Sequence, residues 1–304
     1  MRILILGAAA GGGFPQWNAN SENCRRARSG DAATPPQTQS SIAVSADGKT
    51  WCLCNASPDL RQQIEANRPL QPHPDGPRRT SPIAAAVLTN ADIDHIAGLL
   101  NLRESQSFQL FATARVQDTL AANSVFNVLN PDYVRRQIIM LDTPFSPMPG
   151  LSVTAFAVPG KVALYLEDRT RDDFGTLSGD TVGLEIQDTA SGRKFFYIPG
   201  CAGVTPQLAE RLKNAPLVLF DGTLYTDDEM IRAGEGVKTG QRMGHISISG
   251  PQGSIRTFQE LHVSRRLFIH LNNTNPVLDR SSPERAAVEA SGWEVAMDGM
   301  EIEL

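Results

Sequence analysis

A chain of 304 residues with 41% hydrophobic and 20% charged residues has the composition of an ordinary folded protein, which excludes disordered and fibrous classes. Its formal net charge of -5 leaves no excess of cations for gripping phosphates, so nucleic acid is excluded as a partner. No apolar run approaches the roughly 18 residues that a membrane span needs, and Met1–Gly7 is too short for a signal peptide.

Four cysteines, Cys24, Cys52, Cys54 and Cys201, are too few for a disulfide framework, so a cytoplasmic protein with reduced thiols is expected. One domain spanning 1–304 is expected, since α/β folds of this length commonly enclose a single large core.

The first apolar stretch, Met1–Gly7, predicts a buried strand. Gly7-Ala-Ala-Ala-Gly-Gly-Gly13-Phe-Pro-Gln-Trp17 then predicts a tight loop. A dinucleotide-binding turn there is disfavoured, because Pro15 and the polar stretch 18–23 interrupt the helix it would open. Ser41–Ser45 and Trp51–Asn55, joined through Asp47-Gly48, predict an antiparallel hairpin. On its second strand Cys52 and Cys54 are expected to turn their thiols to opposite faces, which speaks against a shared metal. Ser57 as cap and Pro58 in the first turn predict a helix running to Glu65, and the Pro-rich stretch 68–82 predicts loop.

Ile83–Leu88 is a continuous apolar run suited to a strand buried on both faces. Further strands are predicted at Phe108–Ala112, Gln137–Leu141, Leu151–Ala157, Thr181–Ile186, Lys194–Ile198, Leu217–Phe220 and Arg266–His270. Helices are predicted near 94–104, 113–122, 131–136, 205–213, 249–262 and 282–290. Buried and antiparallel strands occur together, which predicts two packed sheets flanked by helices.

The richest segment for chemistry follows the Ile83–Leu88 strand, where Asp92, Asp94 and His95 crowd into four positions. Strand ends are where layered α/β folds build sites. The bland alternative is a helix start, with Asp92 as N-cap and His95 as a satisfied polar residue. His245, in Gly244-His-Ile-Ser247, suits substrate contact or proton transfer, or else an ordinary structural role. Lys161 either offsets carboxylate charge and anchors an acidic substrate or is simply exposed. His73 and His262 receive no role.

Thr89-Asn-Ala-Asp-Ile-Asp-His95 resembles the metallo-β-lactamase signature T-H-x-H-x-D-H, with Asn90 and Asp92 where histidines would stand. Phe156–Lys161 resembles the third motif, with Lys161 in place of histidine, and Tyr197–Cys201 the fourth, with Cys201 in place of the bridging aspartate. Phe220–Tyr225, Met243–Ser247 and Leu267–Leu271 are similar to the tRNase Z-type branch, whose final histidine corresponds to His270. Exchanging imidazole for oxygen ligands moves metal preference from zinc toward iron or manganese. Together with Gly7–Asn18, Asn55–Arg61, Thr89–Leu100, Val158–Tyr165 and Ile269–Pro276, the chain resembles the PQQ (pyrroloquinoline quinone) synthesis protein B family over nearly its whole length.

That resemblance implies an α/β fold, the metallo-β-lactamase-like four-layer αββα sandwich, and a part in PQQ biosynthesis, which builds the cofactor from a Glu and a Tyr of a precursor peptide. What is kept of the ligand set leads us to expect a single iron(II) site from His95, His270 and one carboxylate among Asp92, Asp94 and Asp221, with His245 and Lys161 as candidate catalytic residues. The implied activity is an oxygenase hydroxylating the tyrosine ring of a Glu-Tyr-derived small-molecule or dipeptide precursor, with other PQQ-pathway proteins as partners. The alternative is a carrier that binds PQQ or its precursor and assists transport to the periplasm. The departures at Asn90, Lys161 and Cys201 argue against a β-lactamase or nuclease. Related proteins carry a structural zinc at Trp-Asn-Cys-x-Cys-x-x-Cys, but here Trp17-Asn18-Ala-Asn-Ser-Glu-Asn-Cys24 keeps one thiol of three, so that zinc is expected to be absent or weak.

Overall fold

The structure, a computed structural model, describes residues 1–168 and 170–304. Fourteen strands are described: β1 (Arg2–Gly7), β2 (Ser41–Ser45), β3 (Trp51–Cys54), β4 (Ile83–Val87), β5 (Phe108–Thr113), β6 (Val134–Ile139), β7 (Pro144–Phe145), β8 (Leu151–Ala157), β9 (Val182–Asp188), β10 (Lys194–Ile198), β11 (Leu217–Asp221), β12 (Arg265–Ile269), β13 (Glu294–Val295) and β14 (Glu301–Glu303). They form two seven-stranded sheets, in the orders β14-β1-β2-β3-β4-β5-β6 and β13-β12-β11-β10-β9-β8-β7. In each sheet one half is antiparallel and the other parallel, the change falling at β3/β4 in the first and β10/β11 in the second.

The helices are α1 (Glu22–Arg28), α2 (Leu60–Ala66), α3 (Ile93–Ile96), α4 (Ala114–Ala122), α5 (Pro206–Leu212), α6 (Glu229–Arg232), α7 (Gly240–Met243), α8 (Ser254–Thr257) and α9 (Pro283–Ala290). Three apolar layers result. Ile3, Ile5, Val44, Val87, Leu184, Tyr197 and Leu267 lie between the sheets, while one outer layer packs under α2 and α4 and the other under α5 and α9. This is the αββα sandwich. Among the described residues no helix is long and apolar enough to cross a membrane.

Several local expectations are corrected. Residues 131–136 are not helical: Val134 already begins β6, paired in parallel with Phe108 of β5, so sheet pairing overrides the helix-like start Pro131-Asp132. Ser57 does not cap α2, which begins at Leu60; its hydroxyl donates instead to Gln63 Oε1 at 3.0 Å. The helix expected over 249–262 shrinks to α8 and one following 3-10 turn at Phe258–Glu260. Cys52 and Cys54 share the inter-sheet layer, because residues two apart on a strand point to the same face.

One contact aligns the site with the first sheet. Beyond β3, Ala56 N donates to His95 O at 2.8 Å and Ala56 O accepts from Gly98 N at 2.9 Å, clamping the α3 segment to the strand end. A Cβ on Gly98 would lie 2.0 Å from Ser57 O, so only glycine allows this approach. At the opposite end of the chain, the Asp298 carboxylate accepts from Ala8 N at 3.0 Å, Thr38 N at 2.7 Å and the Thr38 hydroxyl at 2.6 Å, anchoring the start of the glycine loop.

Gly98→Ala should lower the unfolding free energy by about 1–3 kcal/mol or more, the usual range for forcing atoms into a packed contact, read as a lower urea midpoint at unchanged slope. Burial pushes the Asp298 carboxyl from 3.8 up to about 6. A raised carboxyl favours the folded state in its protonated form, so its contribution is complete below pH 3.8 and is lost as pH rises through about 6. Asp298→Asn should therefore remove one declining component from the stability profile between those values, measured by denaturant titration at several pH values.

Candidate metal centre

Asp94 and His95 stand on α3, which the Ala56 clamp holds beside the end of β3. His270 is the first residue after β12 and adopts a left-handed φ of 65°, turning its ring back over the sheet end. Ligand atoms of Asp94, His95 and His270 lie within 4.8 Å of one another although His270 is 176 residues from Asp94. His270 Nε2 is 3.0 Å from Asp94 Oδ2, and His95 Nε2 is 3.9 Å from the same oxygen. Gly11 backs this group, since a Cβ there would lie 3.5 Å from the Asp94 carboxyl carbon.

The hydrogen bonds around the two rings set their tautomers. His95 Nδ1 is 2.7 Å from Asn90 Oδ1, an acceptor whose own amide nitrogen donates to Asp92 Oδ2 at 2.8 Å. Nδ1 therefore carries the proton, and His95 Nε2 presents a lone pair. That Nε2 is buried and has no hydrogen-bond partner. The Thr223 hydroxyl donates to Asp221 Oδ1 at 2.6 Å and so accepts from His270 Nδ1 at 2.8 Å. His270 Nε2 faces Asp94 Oδ2 and donates its proton there, a proton that a cation at the same point would replace. Two imidazole Nε2 atoms, one of them unpartnered, and a carboxylate converge on one point, a donor set that fits a cation.

Burial disfavours charge on Asp94, yet His95 and His270 hold its carboxyl well below the usual range. Burial presses His95 down to about 4, keeping it neutral. Burial also opposes the charge on His270, but the bond to Asp94 outweighs it and raises that imidazole. Asp92 is pushed up to about 6, by burial first and by Asp94 second.

A second cluster joins Asp221, His245 and His270. Asp221 ends β11 and is fully buried. One oxygen accepts from Cys201 N at 2.8 Å and faces His245 Nδ1 at 2.7 Å; the other accepts from Thr223 N at 3.0 Å and from the Thr223 hydroxyl. His245 stacks on His270 with ring centroids 5.3 Å apart. Three of the five histidines thus meet here.

The structure brings together Asp94, His95, His270, Asp221 and His245. Asp92 stands beside the centre but outside both clusters; it occupies the N-cap position of α3 without a capping bond from its side chain. Lys161 ion-pairs with buried Glu167 at 2.8 Å and acts electrostatically on Asp92. Cys201 serves Asp221 through its backbone N–H, while its thiol points to Gly203 O and burial pushes it up to about 12. Thr223 was not singled out by the sequence, although its place two residues beyond Asp221 is the available signal. Asn90 reads as a lost ligand in the motif, yet it orients one.

Residues 50–271 match the model of the beta-lactamase superfamily domain. Over all 304 residues the chain is 54% identical to "Coenzyme PQQ synthesis protein B" of Methylobacterium sp. (strain 4-46), covering 100% of both. A crystal structure of Zn2+-bound PqqB from Methylobacterium extorquens superposes with a TM-score of 0.96 at 52% identity, covering 100% of each chain. A diphosphatase of the PhnP family, at 17% identity and a TM-score of 0.69, covers 100% of this chain and 98% of its own and shares the fold. The chain belongs to the beta-lactamase superfamily and, within it, to the coenzyme PQQ synthesis protein B family.

Proposed function

We propose that this protein takes part in PQQ biosynthesis as a non-haem iron-dependent oxygenase that hydroxylates the tyrosine ring of a Glu-Tyr-derived precursor. The observation that carries the reading is the convergence of His95 Nε2, His270 Nε2 and the Asp94 carboxylate, with the first of these buried and unpartnered. His95, His270 and Asp94 are the residues that would hold iron(II), a two-histidine, one-carboxylate set, and the iron would there supply the activation of oxygen.

The residues of the chain do the rest. Asn90 and Thr223 keep both imidazoles in the ligating tautomer, as outer partners of metal-bound histidines do. Asp221 holds His245 through Nδ1, and the partial exposure of His245 leaves its ring accessible for proton transfer to or from a phenol oxygen. Asp92, raised to about 6, is a second group able to exchange a proton near neutral pH. A two-zinc hydrolytic site is disfavoured because Asn90 hydrogen-bonds to a ligand, Lys161 pairs with Glu167 and the Cys201 thiol faces Gly203.

The reading extends to the zinc question. Cys24 is buried next to Asn273 Nδ2 at 3.9 Å and joins no group of three or more metal-binding side chains among the described residues. The Methylobacterium extorquens relative is Zn2+-bound, and metal analysis of a Cys24 variant tests whether this thiol holds such an ion.

Reconstituted with iron(II) and given oxygen and ascorbate as the two-electron reductant that takes the second oxygen atom to water, the protein should hydroxylate a tyrosine-containing dipeptide, and His95→Ala should abolish both iron binding and turnover. Asn90→Ala should retain the ligands but weaken metal affinity by about 10–100-fold, read by competition with a chelator. Stoichiometric PQQ binding with no metal and no turnover would replace the oxygenase with a carrier. Cys24→Ser should leave the zinc content of the purified protein unchanged in elemental analysis; loss of a tightly held zinc would place a structural site there.

A further inference from the structure

At the edge of the metal centre two cations share one buried carboxylate. Lys161 Nζ lies 2.8 Å from Glu167 Oε1, and Arg242 approaches both oxygens of the same group, Nη1 at 3.1 Å and Nη2 at 2.9 Å. The Glu167 side chain is 1% exposed, against 16% for Lys161 and 29% for Arg242, so the anion is internal and the cations face outward. Arg242 and Lys161 hold the Glu167 carboxyl down to about 2 together, the guanidinium contributing most. Lys238 adds further positive potential at this carboxylate.

The placement of these cations is supported from both sides. Arg242 lies on α7, and its guanidinium carbon sits 3.6 Å from the centre of the Phe174 ring, which holds the fork flat. Gly244, with a left-handed φ of 87°, ends α7 directly against Lys161; a Cβ there would lie 2.9 Å from Lys161 Cγ. His245 follows at once. One ammonium proton of Lys161 and two guanidinium N–H groups of Arg242 go to Glu167, and the remaining donors have no partner among the described residues.

We infer that Lys161 and Arg242, braced by Glu167 and Phe174, form a subsite that binds a carboxylate of the substrate at the rim of the centre. On the side of the centre stand the carboxyl groups of Asp92 and Asp94, which disfavour a second carboxylate there. The two cations on one side and the acidic side chains on the other differ in character, which orients a molecule carrying an acid at one end and a neutral aromatic ring at the other. A guanidinium and an ammonium with unused donors recognise such an acid by charge-assisted hydrogen bonds. This inference rests on the reading of the same centre as the place where a tyrosine-like ring is processed, but its chemistry requires neither metal nor oxygen.

The test uses iron-free full-length protein under nitrogen, titrated calorimetrically with 4-hydroxyphenylacetate and with its neutral amide, 4-hydroxyphenylacetamide. The acid should bind at least about tenfold more tightly than the amide, and the preference should shrink with added salt. Arg242→Gln and Lys161→Gln should each reduce that preference, while Arg242→Lys, which keeps the charge but loses the fork, should retain part of it. Equal binding of acid and amide to the unmodified protein would overturn the subsite without recourse to any variant. A preference that survives in folded Arg242→Gln and Lys161→Gln would overturn it as well. Failure of dipeptide hydroxylation with iron in air would instead strike the oxygenase reading and leave this result untouched.

Discussion

The centre depends on two imidazole Nε2 atoms and one carboxylate meeting at the same point without a hydrogen-bond donor between the His95 ring and Asp94. Placing three electron-rich groups together in a buried setting is unfavourable unless a proton or a cation lies among them. In the protein alone the proton falls to His270, whose imidazole is raised by Asp94, while His95 stays neutral. The surrounding polar groups are organised around that constraint. Asn90 accepts from one ring, Thr223 from the other, and Asp221 receives the Thr223 hydroxyl, so each tautomer follows from a chain of donors and acceptors.

The same chains explain why positions that look degenerate in the motif still have work to do. Asn90 occupies the place of a histidine ligand and instead fixes the ring of a ligand five residues on. Cys201 occupies the place of a bridging aspartate and contributes only its backbone N–H to Asp221. Lys161 occupies a third ligand position and faces Glu167. Asn90 thus supports a ring of the first cluster, Cys201 the carboxylate of the second, and Lys161 a buried acid beside them.

Much of the scaffold could be read from local pattern. Ile83–Leu88, Lys194–Ile198 and Leu217–Phe220 are apolar runs of strand length, and each became a central strand because burial on both faces demands that composition. Asp94 and His95 stood out by crowding at a strand end; His270 could be paired with them only through the resemblance, since no local rule joins residues so far apart. The rest is long-range. The short β13 and β14 exist because the chain's last segment closes two sheets, and β6 starts early because β5 offers it a partner. Glu167 lies in an acidic, loop-like stretch that reads as solvated, and only the approach of Arg242 from 75 positions away makes it internal.

His95 belongs to the end of the first sheet and His270 to the end of the second, so the centre straddles the seam between them. An ion gripped from both sides would act as a rivet. Its binding energy would be available only to a molecule whose two halves had already docked, and occupancy would report on the apolar seam as faithfully as on the ligands themselves. A cavity opened in that seam, at Val87 or Leu184, would loosen the rivet as well.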